Sequence, residues 1–319
     1  MIDLLNRRQA LIQTGLATAV GVGTVNNVIS ANATQGTERP DDKPFGYCFN
    51  TSTFRGQQLT LPEQIKVVAA AGYDGIEPWI GEIRNFVAAG GSLKDLRKQI
   101  IDSGLTVESA IGFAHWIVDD EITRSKGLDD AKRDMELIHS IGGRRLAAPP
   151  AGATGPLDLN VIAQRYRTLL ELGEQVGVVP QLELWGSSPA ISRVSQLAYI
   201  AAESGHPDAC VLPDFYHIYK GGSDFNGLRV IAGKRMHVFH MNDYPAQPPR
   251  QTIGDQHRVY PGDGIAPLAR IIRELYTAGF RGAFSLELFN PSYWQQDARE
   301  VAKTGLTKMQ TVIDTALQS

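Results

Sequence analysis

The stretch Val178-Val-Pro-Gln-Leu-Glu-Leu-Trp185 determines how the rest of the chain is interpreted. It is a mostly apolar run that ends at the turn residues Gly186-Ser-Ser-Pro189. A short run of this kind, closed by turn residues, predicts a β-strand. Glu183 stands near its carboxyl end, where an unpaired carboxylate among apolar neighbours would be costly to bury. The stretch therefore indicates a strand whose acid has a partner elsewhere in the fold.

Three further strand-like runs carry polar groups at their carboxyl ends. Ala283-Phe-Ser-Leu-Glu-Leu-Phe289 repeats the design, with Glu287 between two leucines. Between the two glutamate runs lie Cys210-Val-Leu-Pro-Asp-Phe-Tyr-His217 and Met236-His-Val-Phe-His-Met-Asn-Asp243. The four runs together present a set of side chains suited to one divalent metal ion, namely Glu183, Asp214, His240 and Glu287.

The composition favours a globular protein that acts on small molecules. The chain has 319 residues, of which 43% are hydrophobic and 20% charged, enough for one large α/β domain or two small ones. The net charge of -3, with no run of lysine or arginine, argues against a nucleic-acid-binding surface. The two cysteines, Cys48 and Cys210, are too few for a disulfide framework and are expected in the core.

The first 33 residues have the features of an export signal. Arg7 and Arg8 precede a mildly apolar run over 11–29, and Ser30-Ala-Asn-Ala33 has the small-x-small form of a signal-peptidase site. This segment resembles a twin-arginine signal and predicts a periplasmic or exported protein. Gly, Thr and Asn interrupt the run, so a stable membrane span is not expected. The alternative is an amphipathic start to a cytoplasmic protein. Residues 34–43 are polar and are expected to be a disordered lead-in to the domain at 44–319.

From residue 44 onward, short apolar runs alternate with longer amphipathic runs, and no change of composition marks a second domain. The predicted strands are 45–49, 75–79, 105–113, 145–148, 178–185, 209–214, 236–241 and 283–288. The predicted helices are 61–71, 93–103, 128–141, 160–176, 191–204, 228–232, 265–278 and 298–317.

Eight strand–helix units predict a single (β/α)8 TIM barrel of the α/β class, whose active-site groups gather at the carboxyl ends of the strands. The alternative, a doubly wound sheet, would carry a glycine-rich phosphate loop after strand one, and Asn50-Thr-Ser-Thr-Phe-Arg55 is not one.

The metal-ligand set, in this order and on these strands, resembles that of the xylose isomerase-like TIM barrels, the superfamily of sugar isomerases, epimerases and inosose dehydratases. The resemblance covers residue 44 to the end of the chain. It implies that Glu183, Asp214, His240 and Glu287 bind one divalent ion, with Mn²⁺ expected and Mg²⁺, Co²⁺ or Zn²⁺ as alternatives. It further implies that Glu183 and Glu287 are the catalytic pair, moving a proton at the carbon next to a carbonyl through a metal-bound enediolate.

The resemblance also implies a set of residues that bind substrate. His217 and Arg258 are each expected to contact a substrate hydroxyl. Glu77 ends strand two and His115 follows strand three, so both could reach the substrate as well. Tryptophans after the strands suit the C–H faces of a sugar ring, and those proposed as substrate-binding are Trp79, Trp116 and Trp185.

The predicted function is a metal-dependent isomerase or epimerase of an unphosphorylated sugar or keto-polyol. The alternatives are a dehydratase or lyase acting on a keto-sugar or 3-keto-glycoside with the same metal and base, and a non-catalytic exported sugar-binding protein. Epimerases of this superfamily carry a second glutamate shortly after the first, whereas 186–189 contain no acid. The sequence lacks a Lys/Arg-rich phosphate loop after strands seven and eight, which disfavours a sugar phosphate. A small-molecule sugar is the expected partner, and a homo-oligomer is left open.

Overall fold

The computed structural model describes residues 43–318, in which eight strands alternate with helices. The strands are β1 (Gly46–Asn50), β2 (Gly75–Glu77), β3 (Thr106–Val107), β4 (Arg145–Ala148), β5 (Val179–Glu183), β6 (Val211–Leu212), β7 (Val238–Met241) and β8 (Ala283–Leu286). The helices are α1 (Leu61–Ala71), α2 (Ile80–Ala88), α3 (Leu93–Asp102), α4 (Glu121–Ser140), α5 (Leu159–Val176), α6 (Val194–Glu203), α7 (Phe215–Gly221), α8 (Leu268–Thr277), α9 (Pro291–Trp294) and α10 (Ala298–Gln318).

The strands are parallel and close into one barrel. Five of them pair in the order β3-β2-β1-β8-β7 and three in the order β4-β5-β6. The N–H of Ala147 donates to the carbonyl of Ala110 at 2.8 Å, which joins the β3 and β4 segments. On the other side, Asp214 pairs with His240 across β6 and β7. The predicted (β/α)8 barrel is therefore confirmed.

An apolar layer inside the barrel lies directly beneath the polar ends of the strands. Four buried side chains from different strand segments form a small cluster of their own, namely Ile111, Ala147, Leu212 and Val238. Because side chains alternate along a strand, residues two apart point to the same side. Asp214 lies two residues beyond Leu212, and His240 lies two residues beyond Val238. These polar groups therefore also point into the barrel, one layer closer to its carboxyl-terminal end.

The structure differs from the predicted elements where prolines interrupt strands. Strand three was expected over 105–113, but regular pairing with β2 ends at Val107. Beyond that point, Ile111 forms an isolated bridge with Trp79, two residues after the end of β2. Pro78 lies between these two pairings and has no N–H to donate to the ladder. Pro213 shortens β6 in the same way. Helices α2 and α7 were not predicted, because each begins directly after a residue that still pairs with a neighbouring strand segment, Trp79 before α2 and Asp214 before α7.

Two other expectations concern the ends of the chain and the cysteines. The predicted export segment, residues 1–33, and residues 34–42 of the lead-in lie outside the described residues. Across 43–318, we find no helix with both the length and the apolar character that a membrane crossing requires. Cys48 and Cys210 are both buried in the fold, as expected for core residues.

Candidate metal and active site

Four side chains meet at the carboxyl-terminal end of the barrel. Glu183 ends β5, Asp214 follows β6, His240 belongs to β7 and Glu287 follows β8. All four are at most 4% exposed. The Nδ1 atom of His240 lies 3.3 Å from Oε2 of Glu287, 3.6 Å from Oε1 of Glu183 and 3.8 Å from Oδ2 of Asp214. The four residues predicted as metal ligands are thus brought together in one buried cluster.

The donor atoms of this cluster fit a divalent cation. Ligand atoms of Asp214, His240 and Glu287 all lie within 4.8 Å of one another. Within the described part of the chain, Nδ1 of His240 and Oε2 of Glu183 are buried without a hydrogen-bond partner. Leaving such atoms unsatisfied is costly, and each needs a partner. Three carboxylates and one imidazole are a ligand set for a divalent metal.

Arg258 supplies positive charge to the same cluster. Its guanidinium is buried, and its Nη1 atom donates to Oδ2 of Asp214 at 2.9 Å and to Oε2 of Glu287 at 2.7 Å. Its Nη2 atom donates to Asp255 at 2.5 Å and lies 3.0 Å from Nε2 of His217. Buried charges of opposite sign stabilise one another when they are hydrogen-bonded in this way. Arg258 therefore lies directly against two of the candidate metal ligands.

Asp214 joins the cluster to the start of α7. Its Oδ1 atom accepts the backbone N–H of His217 at 2.6 Å, so the same carboxylate caps the helix. Its Oδ2 atom accepts from Nδ2 of Asn242 at 3.0 Å as well as from Arg258. The Nδ1 atom of His217 accepts the N–H of Gly186 at 3.2 Å. The cap therefore brings His217 back over the mouth of the barrel, between the loops after β5 and β7.

The electrostatics of the cluster follow from burial and crowding. Burial disfavours a charged imidazole, but the carboxylates of Glu287 and Glu77 outweigh it and raise the pKa of His240 to about 10. Burial raises the pKa of Glu183 to about 8, and the neighbouring negative charges of Glu287 and Asp214 act in the same direction. Burial lowers the pKa of His217 to about 4. Without a cation, the cluster at neutral pH therefore holds protons on His240 and Glu183, while His217 is neutral.

The other predicted substrate residues differ in position. Glu77 is fully buried below the cluster, where it accepts hydrogen bonds from Ser285 at 2.6 Å and Asn50 at 2.9 Å. Trp79 and Trp185 are half-buried, and Nε1 of Trp79 donates to Asn50 at 3.0 Å. His115 is exposed, and its ring packs on Gly152 in the loop after β4.

Trp116 requires a correction. It was expected to present its face to a sugar, but it is only 1% exposed and belongs to the main hydrophobic core. Its Nε1 atom donates to the carbonyl of Pro149 at 2.9 Å, and its ring lies 6.1 Å from that of Tyr166 on α5. The chain after Ile111 turns the indole between the barrel and its helices, so Trp116 cannot line the mouth.

Several residues at the site were missed from the sequence. Asn50 ends β1 and donates to both Glu77 and Glu287, and Asn242 lies two residues beyond His240. Polar residues at or just after predicted strands were the available signal for both. Asp255 lies in the long loop after β7, where the sequence offered no periodic signal. Phe113 and Phe289 follow strands as the tryptophans do, and could have been found by the same reasoning.

Comparison with known proteins identifies relatives over most of the chain. The profile of the family described as xylose isomerase-like TIM barrel matches residues 65–311. The 3-dehydroshikimate dehydratase of Pseudomonas putida is 25% identical over 252 residues, which cover 78% of this chain and 39% of the dehydratase. The chain therefore spans about two fifths of the length of that relative. The inosose isomerase of Bacillus velezensis is 24% identical over 271 residues, covering 83% of this chain and 96% of the isomerase.

A solved structure shows the same fold. The crystal structure of the IolI protein with a bound zinc atom aligns with a TM-score of 0.80 and 22% sequence identity. The alignment covers 85% of this chain and 99% of that protein. A divalent metal ion is thus held by a protein of the same architecture.

Proposed function

The chain belongs to the xylose isomerase-like TIM barrel family, and from this premise we propose that it is a metal-dependent isomerase or epimerase of an unphosphorylated sugar or keto-polyol. The observation that carries the proposal is the buried cluster of three carboxylates around Nδ1 of His240, with separations of 3.3 to 3.8 Å. So many acids in one buried position are costly without a cation. Relatives that are named as inosose isomerases support the same class of reaction.

The side chains that would hold the ion are Glu183, Asp214, His240 and Glu287, with Mn²⁺ the expected metal. A divalent cation bound there would supply Lewis acidity to a substrate carbonyl. Arg258 and His217 would orient the substrate through its hydroxyls, because both lie against the metal ligands at the mouth of the barrel. The hydrogen bonds from Asp214 and Asp255 to Arg258 hold the guanidinium in one place, so this group is fixed before the substrate arrives.

Glu183 and Glu287 would transfer the proton at the carbon next to the carbonyl. They lie on opposite sides of His240, since β5 and β8 are separated by β6 and β7 around the barrel. In an epimerisation, one carboxylate removes the proton and the other returns one to the opposite face of the same carbon. In an isomerisation, the proton is returned to the neighbouring carbon instead.

Deuterium incorporation tests this proposal. Purified protein loaded with Mn²⁺ is incubated in D2O with a panel of ketoses, inososes and 3-keto-glycosides, and the products are followed by NMR. We expect deuterium at the carbon next to the carbonyl. Turnover in which that proton is retained would contradict proton abstraction and indicate a hydride shift. A protein that binds these sugars but exchanges and converts none of them would be a binding protein instead.

A dehydratase is the second candidate. It is favoured by the similarity to 3-dehydroshikimate dehydratase and by the absence of an acid at 186–189. The same proton abstraction would then be followed by loss of a hydroxyl from the adjacent carbon, giving an unsaturated carbonyl compound and water. Formation of a conjugated product can be followed by its ultraviolet absorbance in the same incubations. Its appearance without an epimerised or isomerised product would replace the first candidate with the second.

Export is a separate proposal that rests on the sequence alone. The pair Arg7-Arg8, the apolar run over 11–29 and the Ser30-Ala-Asn-Ala33 site favour a twin-arginine signal and a periplasmic location. The double substitution Arg7→Lys with Arg8→Lys should leave the protein in the cytoplasm. The unaltered protein should be recovered from the cell envelope as a chain that begins near Thr34. Recovery of the full-length chain from the cytoplasm in both cases would contradict this proposal.

A further inference from the structure

Four aromatic side chains form a connected arc at the mouth of the barrel, which we call the aromatic arc: Trp79, Phe113, Trp185 and Phe289. The ring centroids of Phe289 and Trp79 are 6.1 Å apart, those of Trp79 and Phe113 are 4.9 Å apart, and those of Phe113 and Trp185 are 6.1 Å apart. Tilted and edge-on contacts at these separations are favourable between aromatic rings. The arc is therefore one continuous surface that crosses the mouth from the end of β8 to the end of β5.

The aromatic arc adjoins the candidate metal site. Trp185 lies two residues beyond Glu183, and Phe289 lies two residues beyond Glu287. The Nε1 atom of Trp79 donates to Asn50 at 3.0 Å, and Nδ2 of Asn50 donates to Glu287 at 3.2 Å. One asparagine therefore connects the arc to the carboxylate cluster. A ligand whose reacting ring lies over the cluster would extend directly onto these aromatic faces.

The arc is open to solvent, unlike most aromatic residues of this protein. Phe113 is 42% exposed, and the other three rings are half-buried. A contiguous exposed apolar surface rimmed by polar groups marks a ligand-binding position more often than an isolated exposed side chain does. The arc also contains three ring-to-ring steps, which makes it longer than a single six-membered ring. One monosaccharide bound over the metal site would leave the outer part of the aromatic arc uncovered.

Arg55 forms the outer wall of the arc. The guanidinium carbon of this exposed residue lies 4.2 Å from the ring centroid of Trp79 and 5.3 Å from that of Phe289. Among residues 43–318, we find no carboxylate that forms an ion pair with it. Its N–H donors are thus available to a ligand. Flat apolar faces with one wall of hydrogen-bond donors suit a ring that has C–H faces and polar edges.

We propose that the aromatic arc binds the second ring of a glycoside, so that the substrate is a keto-sugar with a further ring attached and not a free monosaccharide. This inference rests on the proposed function for the position of the first ring, over the metal ligands. The second ring stacks on Phe113 and Trp185, and Arg55 donates to its polar edge. Either an aromatic aglycone or a second sugar has the required flat face.

Binding of unreactive glucosides by the metal-loaded full chain tests the inference. Methyl β-D-glucopyranoside, phenyl β-D-glucopyranoside and methyl β-cellobioside share a β-linked glucosyl ring, and none has the free carbonyl that the reaction needs. The corresponding galactosides provide a second set. Titration calorimetry should give about tenfold tighter binding for a two-ring ligand than for the methyl glycoside. Tighter binding of the phenyl compound alone would identify an aromatic aglycone as the second ring. Tighter binding of the disaccharide alone would identify a second sugar. Equal affinity for one-ring and two-ring ligands in both sets would overturn the inference.

Substitutions in the aromatic arc test which residues bind the second ring. Phe113→Ala and Trp185→Ala should each reduce the affinity for the favoured two-ring ligand about threefold while leaving the methyl glycoside unaffected. Ile101→Ala is the control, because Ile101 is 62% exposed on α3 and is not part of the arc. An unchanged preference in both aromatic variants would also overturn the inference. Deuterium exchange into 3-keto-glucosides separates the two proposals. Exchange without a preference for two-ring ligands would support the proposed function and contradict the role of the aromatic arc. A preference for two-ring ligands without exchange would support the role of the aromatic arc and contradict the proposed function.

Discussion

The Nε2 atom of His240 lies 3.2 Å from Oε2 of Glu77, and both side chains are fully buried. Ser285 and Asn50 donate to the same oxygen of Glu77 and fix its position. A carboxylate placed behind an imidazole favours the tautomer that carries the proton on the facing nitrogen and leaves the other nitrogen free to bind a metal. Glu77 therefore orients Nδ1 of His240 toward the three other candidate ligands.

Replacement of Glu77 should weaken metal binding without removing a ligand. In Glu77→Gln the carboxylate charge behind His240 is lost while the shape of the side chain is kept. We expect the affinity for Mn²⁺ to fall by about 10- to 100-fold. Titration calorimetry measures this directly, and the increase of the melting temperature on addition of Mn²⁺ gives an independent reading.

The matched control is Asp134→Asn. Asp134 is also a buried carboxylate, but it lies on α4 and pairs with Arg84, outside the barrel. Its replacement should leave the affinity for Mn²⁺ unchanged. Equal affinities for the Glu77→Gln variant and the unaltered protein would show that Glu77 does not act through His240.

Asp214 has two functions that different substitutions can separate. Asp214→Asn keeps an oxygen that can accept the N–H of His217 and cap α7, but it loses the charge that faces the metal. Asp214→Ala loses both. Each variant should lose its metal by elemental analysis, and the alanine variant should in addition have a free energy of unfolding lower by about 1 kcal/mol than the asparagine variant. Denaturation of the metal-free proteins measures the difference. Equal stabilities would mean that the cap seen at 2.6 Å does not stabilise the fold.

The sequence predicted those parts of the molecule that depend on local periodicity and strand ends. β4 was predicted over the residues it occupies, and the four candidate ligands were identified because each stands at the end of an apolar run. Trp116 shows the limit of that reasoning. An aromatic residue after a strand can turn toward the mouth, as Trp185 does, or back toward the helices, and the sequence does not distinguish these outcomes.

The position of Arg258 depends on a tertiary constraint. The loop after β7 is held by Asp243, whose carboxylate accepts the N–H groups of Gly262 and Gly264, each at 3.1 Å, and of Ala266 at 3.0 Å. These hydrogen bonds fix the loop that carries Arg258 into the barrel. They join residues about twenty positions apart without any repeating pattern. The sequence could suggest that Arg258 contacts substrate, but not that its guanidinium lies against Asp214 and Glu287.

Metal binding should release protons and strengthen as the pH rises. In the metal-free protein, the pKa of His240 is raised to about 10 and that of Glu183 to about 8. Below about pH 8 both groups hold a proton, and a cation must displace these protons before it can bind. The apparent affinity for Mn²⁺ should therefore increase from about pH 6 to about pH 8. Calorimetry in two buffers of different ionisation enthalpy counts the protons, and Glu183→Gln should release one fewer. A heat of binding that does not depend on the buffer would contradict this prediction.

The last prediction concerns which glutamate removes the substrate proton. Glu287 has both oxygens engaged, since Oε2 accepts from Arg258 at 2.7 Å and Oε1 accepts from Asn50 at 3.2 Å. In Glu183 the Oε2 atom has no hydrogen-bond partner among the described residues. Hydrogen bonds to a carboxylate make it a weaker base, so Glu183 is the better acceptor.

We therefore expect Glu183→Gln to abolish deuterium exchange next to the carbonyl, even at Mn²⁺ concentrations that restore metal occupancy, because an amide oxygen can ligate but cannot accept the proton. Glu287→Gln should retain exchange at the carbon from which the proton is removed while losing formation of the product, because the step that returns the proton would fail. Metal content measured on the same samples separates loss of the base from loss of the ion. Exchange retained in Glu183→Gln and lost in Glu287→Gln would reverse the assignment of the two glutamates.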